Sequence, residues 1–287
     1  MRTVTIVATG PQVLVQDLGR PGFAHLGVPP SGALDAPALR LANRLVGNEE
    51  SLAGLEILLG GLRLRAESPC FVAVTGPSAS ITVDGRQRGT HTPIHLSIGD
   101  ELTLGQPTDG LRNYLAVNGG VAVDAELGSR STDVLSGIGP AQVRAGDVVP
   151  LGEPRGIATG ADQLAASALP AELTLSVLLG PREDWFDEPA AQLRAGTWRV
   201  SPESNRIGLR LTGPALRRAA PYAGLELPSE PVVTGAVQVP ANGRPVVFLA
   251  DHPTTGGYPV VGVVPTSELA TLAQVRPGTV VRLRPVG

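Results

Sequence analysis

Glycine and proline punctuate this chain 36 and 27 times in 287 residues, and short runs rich in Val, Ile and Leu lie between them. Inside a helix each glycine costs about 1 kcal/mol and each proline about 3 kcal/mol, whereas turns between strands use both residues readily. The pattern favours a mainly β fold of many short strands. Aromatic residues make up only 3% of the chain, so Val, Leu, Ile and Ala must fill its cores. The length exceeds one ordinary core, which makes two domains the expectation.

Strands are expected at Val4 to Ala8, Glu56 to Leu59, Phe71 to Thr75, Glu101 to Leu104 and Asn113 to Val117. One helix interrupts them. Asp35 can cap it, Pro37 suits its first turn, and Leu34, Ala38, Leu41, Ala42 and Leu45 recur at helical spacing until Gly47. An N-terminal β domain is placed at 1–155, a small and polar linker at 156–171, and a C-terminal β domain at 172–287. Strands in the second domain are expected at Thr174 to Leu179, Thr197 to Val200, Gly208 to Leu211, Val246 to Ala250, Val260 to Val264 and Val280 to Arg284. A short helix is expected near Ser267 to Ala273. Val74-Thr75-Gly76-Pro77 is echoed by Leu211-Thr212-Gly213-Pro214, and Gly146-Asp147-Val148-Val149 by Gly278-Thr279-Val280-Val281. Duplication and chance convergence of turn tripeptides both account for these echoes.

All 23 basic residues are arginine. Without lysine there is no Schiff base, no Walker A loop and no covalently attached biotin. Any nucleotide must be held by arginine forks and backbone amides. The net charge is −3, with no basic stripe interleaved with aromatics, which argues against nucleic acid. No apolar run is long enough to cross a membrane, and MRTVTIVATG passes into a strand pattern without a cleavable signal, so a soluble, cytoplasmic protein is expected. Cys70 lies in the apolar run PCFVAV and reads as a buried small hydrophobe. His91 and His95 flank Pro93 and are too far apart along a strand to share a metal, so no metal site is expected.

Four polar clusters are candidates for a site. In residues 16–48, Gln16, Asp17, Arg20 and Ser31 alternate with Gly19, Gly22, Gly27 and Gly32, a loop able to wrap a small anion. Arg112 to Gly120 forms a strand running through Asn118 into a glycine pair, followed by Ser129, Arg130, Ser131 and Thr132, whose donors suit a carboxylate or phosphate. Arg206 and Arg210 alternate with apolar positions and are expected on one strand face as an anion clamp. Finally, Asp251 ends a strand, and Thr254, Thr255, Gly256, Gly257 and Tyr258 follow as a loop whose amides suit an oxyanion. Asp251 and His252 are neighbours on an extended chain and point apart, which excludes a relay between them. Asp17 or Asp35 remains available to orient His252. Each cluster taken singly also reads as a turn or a solvated strand face.

Taken in order, QDLGRPGFAHLGVPPSGALD, LANRLVGN with Leu55-Glu56, YLAVNGG with LGSRST, SNRIGLRL with Gly213-Pro214, and ADHPTTGGYP resemble the family of 5-oxoprolinase C subunits over nearly the whole chain. This family is also described as allophanate hydrolase subunit 2 or the KipI antagonist, a branch of the biotin-dependent carboxyltransferase-like proteins. The resemblance implies two cyclophilin-like β-barrel domains with a few short helices. It also implies a hetero-oligomer with a KipI-like B subunit, completed by a third component, the 5-oxoprolinase A subunit. In oxoprolinase members the assembly opens the lactam of 5-oxo-L-proline to L-glutamate with ATP, which makes ATP the expected cofactor. Fused members instead move carboxyl from biotin to urea.

Phosphorylating the lactam oxygen would make a better electrophile, a chemistry that suits arginine-lined anion sites. On that basis Arg20, Arg130 and Arg206 are assigned to anion binding, Asp17, Asp35 and Asp251 to polarity or proton handling, and Thr254 to Tyr258 to a backbone cradle. His252-Pro253 departs from the Arg-Gln-like pair of many relatives, and Leu34 replaces a common methionine. Two other readings stay open: a regulator that sequesters a KipI-like inhibitor, and a urea- or allophanate-type carboxyltransferase subunit.

Overall fold

The computed structural model describes residues 1–160 and 169–286. The chain divides into two compact units. The first comprises Met1–Arg20, Ser31–Asp133 and Gly137–Leu169; the second comprises Pro21–Pro30, Val134–Ser136 and Pro170–Gly287. Of the expected 156–171 linker, residues 161–168 lie outside the described residues. The segment before them packs on a helix end, where the Thr159 amide donates to Leu45 O at 2.9 Å.

In the first unit the elements are β1 (Arg2–Ala8), β2 (Gln12–Gln16), α1 (Ala36–Leu45), β3 (Gly54–Leu58), β4 (Arg63–Ala66) and β5 (Cys70–Thr75). There follow β6 (Ala79–Val83), β7 (Arg86–Arg88), β8 (Ile94–Leu96), β9 (Glu101–Pro107), β10 (Arg112–Val117) and β11 (Val148–Leu151). One sheet has the order β11-β1-β4-β9-β6-β7 and the other β2-β3-β10-β5-β8. They share one core, with Val4, Ile6, Leu64, Ile81 and Leu102 from the first and Val13, Val15, Leu55, Ile57, Val72 and Leu115 from the second.

The other face of the five-stranded sheet is covered by α1. Asp35 caps this helix by accepting from the Ala38 amide at 3.1 Å, a cap that contributes about 1 kcal/mol. Ala42, Leu45 and Val46 then pack on Ala73 and Ala116, and Ala38 and Leu39 pack on Tyr114. A sheet covered on both faces buries every residue of its central strand, and β10 is buried from Arg112 to Val117. In register, Glu56 lies between Leu14 and Tyr114. The strand period therefore puts Leu55 and Ile57 in the shared core and Glu56 on the helix side.

The second unit contains β12 (Glu172–Leu179), α2 (Pro189–Ala195), β13 (Trp198–Val200), β14 (Gly208–Thr212), β15 (Glu230–Pro231) and β16 (Ala236–Gln238). It continues through β17 (Val246–Phe248), β18 (Thr255–Gly256), β19 (Val260–Val263), α3 (Thr266–Leu272) and β20 (Val280–Val286). Seven of these strands close a barrel in the order β12-β19-β16-β17-β14-β13-β20. Its seam is the parallel pair β12 and β20, from Glu172 opposite Val280 to Leu178 opposite Val286. Alternation along both seam strands buries Leu173, Leu175, Val177, Val281 and Leu283. Fully buried Trp198 fills one side and donates its indole N–H to Pro214 O at 3.0 Å. The fold is mainly β with short helices, as expected.

Candidate functional site

Asp17, at the end of β2, is the hub of a buried cluster in the first unit. Its Oδ1 accepts from the Gly19 amide at 2.8 Å and from the Ser129 and Ser131 hydroxyls at 2.6 Å each. Its Oδ2 accepts the Arg130 amide at 2.6 Å. All but Gly19 come from a segment more than a hundred residues downstream, which is tied alongside β2 by Gln16 Nε2 donating to Thr132 O at 2.8 Å and the Thr132 amide donating to Val15 O at 2.9 Å. Ser31, in the left-handed region at φ 55°, donates to the same Thr132 carbonyl at 3.3 Å. A carboxylate with this many donors is a fixed anchor that organises the loop.

Arg20, three residues on, is 2% exposed. Its guanidinium donates to the Ser131 carbonyl through Nη2 and to the Glu126 carbonyl through Nε, at 3.4 Å. Its Nη1 has no partner, and no carboxylate pairs with it among the described residues. A buried guanidinium held only by carbonyl oxygens is an uncompensated charge, and an anion placed against it would relieve that cost.

Arg130 uses its amide on Asp17 and its Nε on Val123 O at 2.7 Å. Its side chain lines a cavity of 620 Å³ in the first unit, which neither Arg20 nor Asn118 lines. Asn118 is a structural tie. Its Oδ1 accepts from Arg2 Nη2 at 2.8 Å and from the Phe71 amide at 3.0 Å.

The second unit holds a separate buried pair, Arg206 and Asp251, at 1% and 0% exposure. The contact is bidentate, with Nε to Oδ2 at 2.8 Å and Nη2 to Oδ1 at 2.9 Å, and the Val134 amide adds a bond to Oδ2 at 3.1 Å. This corrects two expectations. Arg206 precedes β14 in a turn closed by Asn205 and is buried, whereas Arg210 on the strand is exposed, so the two do not form a clamp on one face. Asp251 is the counter-ion of the Arg206 guanidinium. Asp35 is likewise committed: it caps α1, and its amide donates to the Tyr114 hydroxyl at 2.8 Å.

The segment from Thr254 to Tyr258 is also not the expected open cradle. Thr255 and Gly256 form β18 against Glu230 and Pro231, Thr254 O accepts the Val232 amide at 3.0 Å, and Tyr258 O accepts from Gln238 Nε2 at 3.1 Å. The Tyr258 side chain is exposed, and Gly257 lies beside Leu227 O. His252 is oriented by a carbonyl, not by Asp17 or Asp35. Its Nδ1 lies 2.6 Å from Pro253 O, which can only accept, so Nδ1 carries the proton. Burial lowers the ring's pKa, which keeps it neutral, and Nε2 then accepts from the Thr234 hydroxyl at 3.1 Å. The ring stacks on Phe248.

A further buried network centres on Glu56, which lies outside the four clusters, and draws on Arg112 and Tyr114 of the second. The Glu56 carboxylate accepts the Tyr114 hydroxyl at 2.8 Å and the Leu34 amide at 3.1 Å, and Arg112 Nε lies 3.5 Å away. Burial first, and the Glu56 and Asp35 charges second, push the Tyr114 phenol well above its ordinary pKa. This network pins the return of the Ser31–Asp35 loop. A charged residue inside the apolar run Leu55-Glu56-Ile57-Leu58 was the available signal.

A double-layered β unit carrying a buried acid–hydroxyl–guanidinium cluster, in one chain with a seven-stranded barrel, defines the class. A family model described as carboxyltransferase domain, subdomain A and B, matches residues 26–285, and the chain belongs to that family. Within it, the 5-oxoprolinase C subunit of Escherichia coli strain K12 is 38% identical over 277 residues, 94% of this chain and 87% of the relative. The urea amidolyase of Lachancea kluyveri is 34% identical over 98% of this chain but only 17% of its own length. The crystal structure of the Kluyveromyces lactis urea amidolyase superposes with a TM-score of 0.90 at 32% identity, over 99% of this chain and 19% of that one. These relatives bear out the resemblance carried by the motifs. Among the described residues no helix is long and apolar enough to cross a membrane.

Proposed function

We propose that this chain is the C subunit of an ATP-dependent 5-oxoprolinase, a cyclic-amide hydrolase that opens 5-oxo-L-proline to L-glutamate. The observation that carries this reading is coverage: similarity to the E. coli protein runs over 94% of this chain and 87% of that relative. The urea amidolyases instead contain the matched region as 16% to 19% of a much longer chain. Its partners are a KipI-like B subunit and a third component, the A subunit, and without them the chain is inactive.

In this assembly Arg20 supplies the chemistry most directly. Its buried, orphaned Nη1 is a fixed donor for the charge that develops on the lactam oxygen or on a phosphoryl group transferred to it. Asp17 positions Arg20 through Ser131, which bonds both. ATP supplies the phosphoryl group to the assembly. A phosphate oxygen fits Arg20, and no lysine of this chain contributes to a nucleotide site.

The test is to co-express the chain with both partner subunits and measure ATP-dependent glutamate release from 5-oxo-L-proline. Arg20→Gln should lower kcat at least about a hundredfold, as removal of an oxyanion donor does. A complete assembly that leaves 5-oxo-L-proline untouched would refute the reading. The second reading, a carboxyltransferase component, is favoured by the fold shared with the K. lactis urea amidolyase, and biotin-dependent carboxylation of urea by the same assembly would establish it.

A further inference from the structure

The 620 Å³ cavity in the first unit lies within the range of small-molecule sites. Part of its wall is closely packed backbone. Residues 152–156 cross the ends of α1 and β10 backbone on backbone: a Cβ on Gly119 would lie 2.1 Å from Gly152 O, and one on Gly156 would lie 2.2 Å from Gly47 O. At these crossings no side chain can enter. Asn48, between them, is engaged at both ends of its amide, donating to Asn43 Oδ1 at 2.9 Å and Val117 O at 2.8 Å and accepting from the Gly119 amide at 2.8 Å.

Arg130 is different. Its main chain is fixed by Asp17 and its Nε by Val123 O, which holds the guanidinium plane in place. Neither Nη has a partner among the described residues, and Arg130 is one of the residues that line the cavity. A preformed guanidinium with two free donors side by side matches two oxygens of one anion. Leu52 and Val121 supply apolar wall that suits the body of a small organic acid, and the lining also carries Arg155 and the acids Glu49 and Glu153.

We propose that this cavity binds a small oxyanion, a carboxylate or phosphate, through the Nη pair of Arg130. The site is distinct from Arg20 and does not depend on which reaction the assembly performs. Since the Arg130 amide is held by Asp17, a ligand on this guanidinium is one residue from the Asp17 cluster.

The experiment titrates the isotope-labelled full chain separately with 5-oxo-L-proline, L-glutamate and inorganic phosphate, following amide and Arg Nε resonances by NMR. Saturable shifts at Arg130 and at residues 47–49 and 152–156 are expected with at least one probe. Arg130→Gln should raise the Kd about tenfold or more, because a charge-assisted fork is lost. Arg88→Gln, on the exposed strand β7, should leave it unchanged. Arg130→Lys keeps the charge without the fork, should bind with intermediate affinity, and serves if the glutamine variant unfolds. A response to the two acids alone identifies a carboxylate site, and a response to phosphate alone a phosphate site. No saturable shift up to about 10 mM, or an unchanged Kd in the Arg130 variants, would overturn the proposal.

Discussion

Replacing Asp17 by Asn removes the charge from the hub and keeps its shape. With the amide oxygen in the Oδ1 position, the bonds from Gly19, Ser129 and Ser131 survive as neutral bonds, and charge-assisted bonds are about twice as strong as those. The new NH2 then faces the Arg130 amide, donor against donor, at a site where the carboxylate accepted at 2.6 Å. Losing that bond alone costs about 1.5–3 kcal/mol. Weakening of the other three brings the expected total to about 3–5 kcal/mol. The flipped amide keeps the Arg130 bond and can donate to the Ser129 and Ser131 hydroxyls, but it sets its NH2 against the Gly19 amide, so either orientation leaves one donor facing a donor. Against a typical domain stability of about 5–15 kcal/mol, this is a large fraction. Urea unfolding monitored by circular dichroism should show a lower midpoint with an unchanged slope. Ser129→Ala, which removes one donor and leaves the charge, should cost clearly less. A loss below about 1 kcal/mol in the Asn variant, within the range of ordinary surface substitutions, would refute the view of Asp17 as an anchor.

Three other outcomes follow from buried polar groups. Arg206→Ala should destabilise by about 3–5 kcal/mol in thermal or urea unfolding because it strands the Asp251 carboxylate, and combining Arg206→Met with Asp251→Leu should recover much of that loss. Tyr114→Phe removes a donor from buried Glu56 and should cost about 1.5–3 kcal/mol, read from the same denaturant curves. Burial lowers the pKa of both His91 and His252 below the ordinary 6.5. The unfolded chain therefore takes up protons that the folded chain refuses, so stability should be constant above about pH 7.5 and fall as pH drops through 6.5, by up to about 1.4 kcal/mol per pH unit for each histidine. His252→Gln should flatten this slope, and an equal slope in the variant would remove His252 from the account.

Legibility of the fold followed the strength of the apolar pattern. β1, β5, β9 and β10 were readable because runs such as Phe71-Val72-Ala73-Val74 are long enough to imply a buried strand. α1 was readable from its Asp35 cap and Pro37. β7, with the sequence Arg-Gln-Arg, is exposed throughout, and only pairing with β6 makes it a strand. β18 is two residues long and is likewise defined by its partner. Parity failed at Arg206 and Arg210 because the period of two holds only within a strand, and β14 begins at Gly208, after the Asn205 turn. The echoed tripeptides fall at equivalent places: Thr75 and Thr212 end β5 and β14, and Gly146 and Gly278 turn into β11 and β20 at φ 94° and 87°.

Within the candidate site, residue type indicated where polar groups gather but not what each one is for. Asp17, Asp35 and Asp251 read alike in sequence, yet one is a four-donor hub, one a helix cap and one a counter-ion, because their long-range partners decide. All three are committed to partners within the chain, and each holds part of a loop, a helix end or a buried charge in place. The arginines, counted the same way, leave a remainder. Arg206 is committed to Asp251 and Arg2 to Asn118, while Arg20 keeps one buried donor and Arg130 keeps two. Among the described residues, the buried atoms without a partner include Arg20 Nη1 and also Arg218 Nη1, whereas Arg130 is only partly buried and lines a cavity. The acids therefore build the loops, and the proposed anion contacts fall on the guanidiniums of Arg20 and Arg130.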